Sequence, residues 1–225
     1  MDLTSLIGRT LGALVPLWTS RSRNESGSHA LVPLIAIVVL AAIPLQGCKP
    51  AAEGRSGSGG AGGSTIGAPF RLIDQDGKPA DQKVLTGKWT ALFFGYTYCP
   101  DACPTTLTKL GATTLKLGAK GDNLQVVLIT IDPERDTPAK LKDYISSPVF
   151  PKKITALTGT PAQIAAVAKN YSVYYAKNGA GTDYLMDHST AIYLFDPKGR
   201  FVQLLRPDVP PDDLAATIGE AMTKG

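Results

Sequence analysis

The sequence predicts an α/β domain with a mixed central sheet flanked by helices and an N-terminal hairpin. Two continuous apolar runs of strand length, "WTALFFGY" at 89–96 and "LQVVLITID" at 124–132, are each followed by a segment of helical pattern. Buried strands that alternate with helices form a sheet covered on both faces. The ending "TAIYLFDPKGRFVQLL", then "PPDDLAATIGEAMTKG", reads as two strands about a turn and a closing helix, which makes the sheet mixed.

In chain order, "APFRLIDQDGKPA" alternates apolar and polar residues around Asp76-Gly77 and is the hairpin. The run at 89–96 suits a buried central strand. "CPTTLTKLGATTLKLG" places Leu107, Leu110, Leu115 and Leu117 at near-helical spacing, with Gly118 as the stop. After the strand at 124–132, Thr137 as cap and Pro138 at the first helical position open "TPAKLKDYI". "KITALTG" is a short strand, and "TPAQIAAVAKNY" repeats the Thr-Pro device. Asp212 and Asp213 suit the positive end of the last helix. No internal repeat is present. This order fits a thioredoxin-like fold, in which the helix after the first long strand carries reactive cysteines.

The first third of the 225 residues does not read as folded protein. Residues 30–45, "ALVPLIAIVVLAAIPL", follow Arg21 and Arg23 and precede "QGC", the parts of a secretory signal. The run is interrupted by Pro33 and Pro44 and is short for a spanning helix, which takes about 20 residues. Leu45-Gln46-Gly47-Cys48 resembles the lipobox of bacterial lipoproteins, cut before the cysteine that then carries the lipid; an uncleaved anchor is the alternative. Residues 1–47 are thus signal or anchor, and 48–68, rich in glycine and serine, are a lipid-anchored tether spanning about 25 Å as a random coil. The folded domain occupies 69–225, outside the cytoplasm, on the outer (periplasmic) face of the cytoplasmic membrane. It carries 18 lysines and arginines against 16 acids. Such a balance, with no basic stripe interleaved with aromatics, excludes nucleic acid as a partner.

The chemistry concentrates in "FFGYTYCPDACPTTL" at 93–107. A strand ending near Phe94 and a helix starting between Pro100 and Pro104 put Cys99 and Cys103 in the loop and first turn of that helix. Unsatisfied N–H groups there favour thiolates, and the prolines stiffen the segment without removing needed helical bonds. Positions four apart share a helix face, so both sulfurs can reach one another or one ion. A structural disulfide, a redox pair and a metal site are all compatible with that spacing, although a bridge across so short a loop stabilises little.

Of the two histidines, His29 falls in the signal segment, leaving His188 as the domain's single imidazole. It precedes an apolar strand expected beside the first long one, which brings it toward the cysteines; otherwise it is a half-buried histidine bonded to Asp187 or Ser189. Two thiolates and one imidazole fall short of structural zinc, which takes four protein ligands. They suit copper, Cu(I) through the soft thiolates and Cu(II) through the imidazole. Met186 is near enough in sequence to approach, with core packing as its other role. The stretch "YYAKNGAGTDYLMDH", with Gly179 and Gly181, reads as a mobile segment from which His188 can swing.

Three blocks, "GYTYCPDACPTT", "ITIDPERDTP" and "YLMDHSTAIYLFDPKGRF", resemble the signature blocks of the Sco/SenC family in order and content. That resemblance implies a membrane-tethered thioredoxin-like protein that binds one copper through Cys99, Cys103 and His188, takes it from an upstream copper donor, and delivers it to the binuclear copper centre in subunit II of cytochrome c oxidase. The alternative is a thiol:disulfide oxidoreductase that reduces the cysteines of that centre, Cys99 attacking and Cys103 resolving. A peroxidase of similar fold is disfavoured, because the proline and the threonine or serine that it places seven and three residues before the reactive cysteine are here Leu92 and Tyr96. A noncatalytic interaction module would be indifferent to both thiols. In the middle block, Asp132, Glu134, Arg135 and Asp136 read as loop and capping chemistry, and Asp101 as a solvated acid at a helix start.

Overall fold

The computed structural model describes residues 66–224. The signal or anchor, Cys48 and the tether up to residue 65 lie outside the described residues. The elements are β1 (Arg71–Asp74), β2 (Pro79–Asp81), β3 (Trp89–Gly95), α1 (Ala102–Lys116), β4 (Leu124–Thr130), α2 (Pro138–Tyr144), β5 (Ile154–Thr158), α3 (Pro161–Asn170), β6 (Tyr175–Asn178), β7 (Leu185–His188), β8 (Ile192–Phe195), β9 (Phe201–Leu205) and α4 (Pro211–Lys224).

Seven strands form one sheet in the order β2-β1-β5-β4-β3-β8-β9. β3, β4 and β5 run parallel, while β1 and β8 close the parallel core with antiparallel pairs, so the sheet is mixed as the sequence predicts. Every residue of β3 is buried, the mark of a strand covered on both faces. Its alternate side chains divide between the faces. Leu92 and Phe94 join Val127 and Ile129 of β4 under α3, with Ile164 and Val167. Ala91 and Phe93 join Val126 and Leu128 under α1 and α4, with Leu107, Leu110, Leu214 and Ile218. Among the described residues, both cores and their rims are built from residues 66–222, a span long enough for one domain to fold alone. No helix among the described residues is long and apolar enough to cross a membrane.

The Thr-Pro devices work as read. Thr137 accepts from Lys140 N–H, and Thr160 forms a reciprocal capping box with Gln163, which satisfies otherwise orphaned donors at the start of α3. One sequence expectation is corrected, and one segment takes a form the sequence did not predict. Leu115 points to solvent, 80% exposed, because α1 packs through Leu107, Leu110, Gly111 and Thr113 and position 115, five after Leu110, lies off that face. The 174–188 segment is a separate two-stranded sheet, β6 paired with β7, around the positive-φ glycines Gly179 and Gly181. Positive φ is strained for any residue with a Cβ, so the glycines that suggested a loop are what closes a hairpin.

Candidate metal centre

β3 ends at Gly95, and the chain turns through Tyr96–Tyr98 to reach Cys99, whose N–H donates to Tyr96 O. Gly95 is required here, since a Cβ on it would lie 2.8 Å from Cys103 Sγ. α1 then begins without a capping side chain. Asp101 stands at the N-cap position but makes no cap bond; its carboxylate accepts from Thr105 Oγ1 instead. Cys99 Sγ supplies part of what is missing, accepting the Cys103 N–H at 3.3 Å. A sulfur that accepts a backbone donor at a helix start is held as an anion.

The two cysteines are free and unequal. Cys99 is half-buried and Cys103 is 2% exposed. The Cys103 thiol, hydrogen-bonded to Cys99, pulls the Cys99 pKa well below that of an ordinary thiol, with His188 and the N–H groups of Cys103 and Asp101 adding to the effect against the cost of burial. The same bond, then burial, pushes Cys103 up. Near neutral pH the pair therefore holds one thiolate, on Cys99, and one proton, on Cys103.

His188 closes the group from the end of β7. Its Nδ1 lies 2.8 Å from Ser189 O, and because a carbonyl only accepts, Nδ1 donates there and Nε2 is the nitrogen left to face the sulfurs. That Nε2 is 3.8 Å from Cys103 Sγ. An ion bound at roughly 2.0–2.3 Å from three surrounding donors needs neighbouring donors about 3.5–4 Å apart. Here Cys99 Sγ, Cys103 Sγ and His188 Nε2 all lie within 4.8 Å of one another, so the donor set fits a small soft ion in three-fold coordination. Met186 packs against the core and fixes the hairpin through its N–H, which donates to Tyr96 Oη.

In the middle block Glu134 is exposed, whereas Asp132, Arg135 and Asp136 turn inward. Asp132 is 2% exposed and Asp136 fully buried. Asp136 accepts from Thr97 N–H, Thr97 Oγ1 and Thr130 Oγ1; burial raises its pKa, with these bonds opposing. Asp132 accepts from Arg135 Nε and from the Tyr184 hydroxyl. Sequence reasoning missed Tyr96 and Tyr184 altogether. The only signal for them was the density of tyrosines around the cysteine and histidine blocks, which carries no direction.

The SCO1/SenC family model matches residues 58–223. The chain is 46% identical over 145 residues to the mitochondrial protein SCO1 homolog 1 of Arabidopsis thaliana, covering 64% of this chain and 43% of that protein. It is 33% identical over 202 residues to protein SenC of Rhodobacter capsulatus, covering 89% and 90%. The match thus spans about half the length of the first mitochondrial relatives, 43% of the Arabidopsis protein and 50% of SCO1 of Saccharomyces cerevisiae. Among solved structures, Bradyrhizobium japonicum ScoI with copper bound superposes with a TM-score of 0.62 at 44% identity, over 68% of this chain and 97% of that one. BsSco, described as having a disulfide switch and as a member of the Sco family of cytochrome c oxidase assembly proteins, superposes with a TM-score of 0.55 at 25% identity, over 68% and 91%.

Proposed function

The chain belongs to the SCO1/SenC family, and from that premise we propose that it is a copper chaperone of cytochrome c oxidase assembly. Copper is the cargo, held by Cys99, Cys103 and His188 and passed by ligand exchange to paired thiols of an acceptor, the binuclear copper site of oxidase subunit II. The observation that carries this reading is the convergence of two sulfurs and one imidazole nitrogen within 4.8 Å. Binding releases the proton held on Cys103, since a metal takes the thiolate, so loading is favoured as pH rises. Copper added to the domain 58–225, which lacks Cys48, saturates at about one ion per chain. Cys99→Ser, Cys103→Ser and His188→Ala each weaken binding, and unchanged affinity in all three removes the reading.

The unequal thiols support a second activity on the same residues. Cys99 thiolate attacks an oxidised target's disulfide, breaking that S–S bond and leaving a mixed disulfide. Cys103, giving up its proton, then attacks Cys99 Sγ and expels the second target thiol. The target gains two electrons and the pair closes as a disulfide. Exchange with an oxidised target peptide in metal-free buffer separates the two activities.

The proposed setting is the outer face of the cytoplasmic membrane, with lipid on Cys48 and residues 48–68 as the leash. It rests on the sequence alone. The mass of the mature N-terminus distinguishes cleavage and lipidation at Cys48 from an uncleaved anchor.

A further inference from the structure

The middle block touches both halves of the metal group. On one side, Asp136 holds the cysteine loop through Thr97, two residues before Cys99, by the loop's N–H at 3.0 Å and its hydroxyl at 2.6 Å. On the other side, the block grips the hairpin that ends in His188. Arg135 Nη1 donates to the carbonyls of Thr182 at 3.3 Å and Tyr184 at 2.9 Å. Its Nε donates to Asp132, which in turn accepts the Tyr184 hydroxyl at 2.6 Å.

The guanidinium is also enclosed by rings, with its central carbon 3.6 Å from the Tyr184 centroid, 4.5 Å from that of Tyr98 and 5.9 Å from that of Tyr96. Its Nη2 is buried without an oxygen partner. A buried donor left unsatisfied is costly, and stacking against aromatic faces is what offsets it. A lysine in this place could not stack and donate to two separated carbonyls with the same fixed geometry. Two of the three rings belong to the cysteine loop and the third to the hairpin, so one cation spans the gap between ligands 85 residues apart in the chain.

We infer that Arg135 is a positioning residue for the third ligand: it pins the β6–β7 hairpin against the cysteine loop and so sets the separation between Cys103 Sγ and His188 Nε2. This rests on the ligand set proposed above. Arg135 touches none of the three donor atoms and acts through Tyr184 and the hairpin backbone on one side and the rings of Tyr96 and Tyr98 on the other. Its removal therefore affects the state of the ion that depends on imidazole. Cu(II) needs the nitrogen; Cu(I) is served by the two sulfurs.

The test uses the domain 58–225 with Arg135→Met, which keeps an apolar body between the rings. Because this leaves Asp132 buried without its cation, Tyr184→Phe, which deletes one clamp hydroxyl and leaves every charge paired, is measured beside it. Arg135→Met weakens Cu(II) between about 10- and 100-fold, the range for loss of a group that orients a ligand, and reduces nitrogen coupling in the Cu(II) paramagnetic spectrum. Cu(I) affinity moves less than about threefold, and Tyr184→Phe shifts Cu(II) in the same direction by less.

In a His188→Ala background, Arg135→Met has no further effect on Cu(II), because the ligand through which it acts is gone. An equal loss in that background, or equal losses for both oxidation states, overturns the inference. Amide exchange in metal-free protein reads the clamp without copper. Arg135→Met speeds exchange at 175–188 and leaves β3 and α1, 89–95 and 102–116, unchanged, and uniform or unchanged exchange overturns the clamp even where His188 is a ligand. If exchange changes as stated while His188→Ala leaves Cu(II) affinity intact, the ligand assignment fails, and with it Arg135's role in positioning a ligand.

Discussion

Cys99 and Cys103 follow a strand buried along its whole length, whereas His188 ends a strand of a separate two-stranded sheet. β3 is hydrogen-bonded on both sides, to β4 over seven residue pairs and to β8 over four, and the sulfurs sit at its end and in the first turn of the helix it feeds. Among the described residues β6 and β7 pair only with each other, and β7 alternates exposed and half-buried positions. The half that supplies the sulfurs is built directly onto the central sheet. The half that supplies the imidazole is held by side chains of residues 132–136 and by Tyr96. For the proposed carrier function, which requires an ion to be kept in transit and surrendered on arrival, this division is favourable, because the harder ligand can leave without disturbing the sheet.

The sharpest way to break the comparison is to delete one ligand from each half. Cys103→Ser removes Cu(I) and Cu(II) binding together, by more than the roughly 10–100-fold that loss of an orienting group costs. His188→Ala weakens Cu(II) by a comparable factor and Cu(I) far less. Equal effects of both substitutions on Cu(I), read by competition with a chromophoric chelator, mean that the two halves are not chemically distinct.

The same division explains what the sequence could reveal. The central strands, the Thr-Pro helix starts and the cysteine loop are specified by local patterns, and each stands where its residues place it. The location of His188 followed from its place just before β8, which pairs with β3. The hairpin was not legible. Lys177, Asn178 and Gly179 carry no strand signal, and the side-chain bonds that hold the hairpin to the rest of the domain come from residues more than 40 positions away. Nor was the burial of Asp132 and Asp136 legible, since their partners Tyr184, Thr97 and Thr130 show no spacing rule.

A smaller effect probes the cysteine half alone. In Gly95→Ala the new methyl lies 2.8 Å from Cys103 Sγ, 3.2 Å from Phe93 and 3.3 Å from Leu128, all in a strand buried throughout. Overpacking of this kind costs about 1–3 kcal/mol. Because the nearest atom is a sulfur of the proposed ligand set, Cu(I) affinity falls with stability. Gly111→Ala is the control: its Cβ meets the backbone oxygen of Val149 at 2.4 Å, a steric cost at least as large and outside the ligand set, and copper affinity of the folded protein stays at the wild-type value. Denaturant melts paired with copper titrations decide it.

The thiol pair gives a pH signature confined to the same half. The Cys99 pKa is lowered from 9.0 to about 4. Between those values the unfolded chain holds a proton that the folded one has released, so stability rises with pH across the window and this contribution is lost as pH falls through the folded value. Cys103 is shifted the other way, and below its ordinary pKa it is protonated in both states, adding no slope. Reduced, metal-free protein thus shows thiolate absorbance from one sulfur at neutral pH. Cys99→Ser removes that absorbance and flattens stability between about pH 5 and 8.

The least effect is expected at the rim of the hairpin. Lys177 forms an ion pair with Glu134 at 3.4 Å and lies 3.7 Å over the Tyr184 ring, so on distance alone it is a second clamp beside Arg135. Exposure separates them. The Lys177 and Glu134 side chains are 46% and 64% exposed, against 14% and 3% for Arg135 and Asp132. A solvated pair is worth about 0–1 kcal/mol, whereas a buried cation removed from its partners leaves donors and acceptors unpaired. Lys177→Met therefore shifts hairpin amide exchange by less than about fivefold, the equivalent of 1 kcal/mol, and the residual change vanishes in high salt, where exposed pairs are screened. A Cu(II) affinity loss as large as that of Arg135→Met would move the control of His188 from the buried guanidinium to the surface and erase the contrast between a buried hinge and a solvated rim.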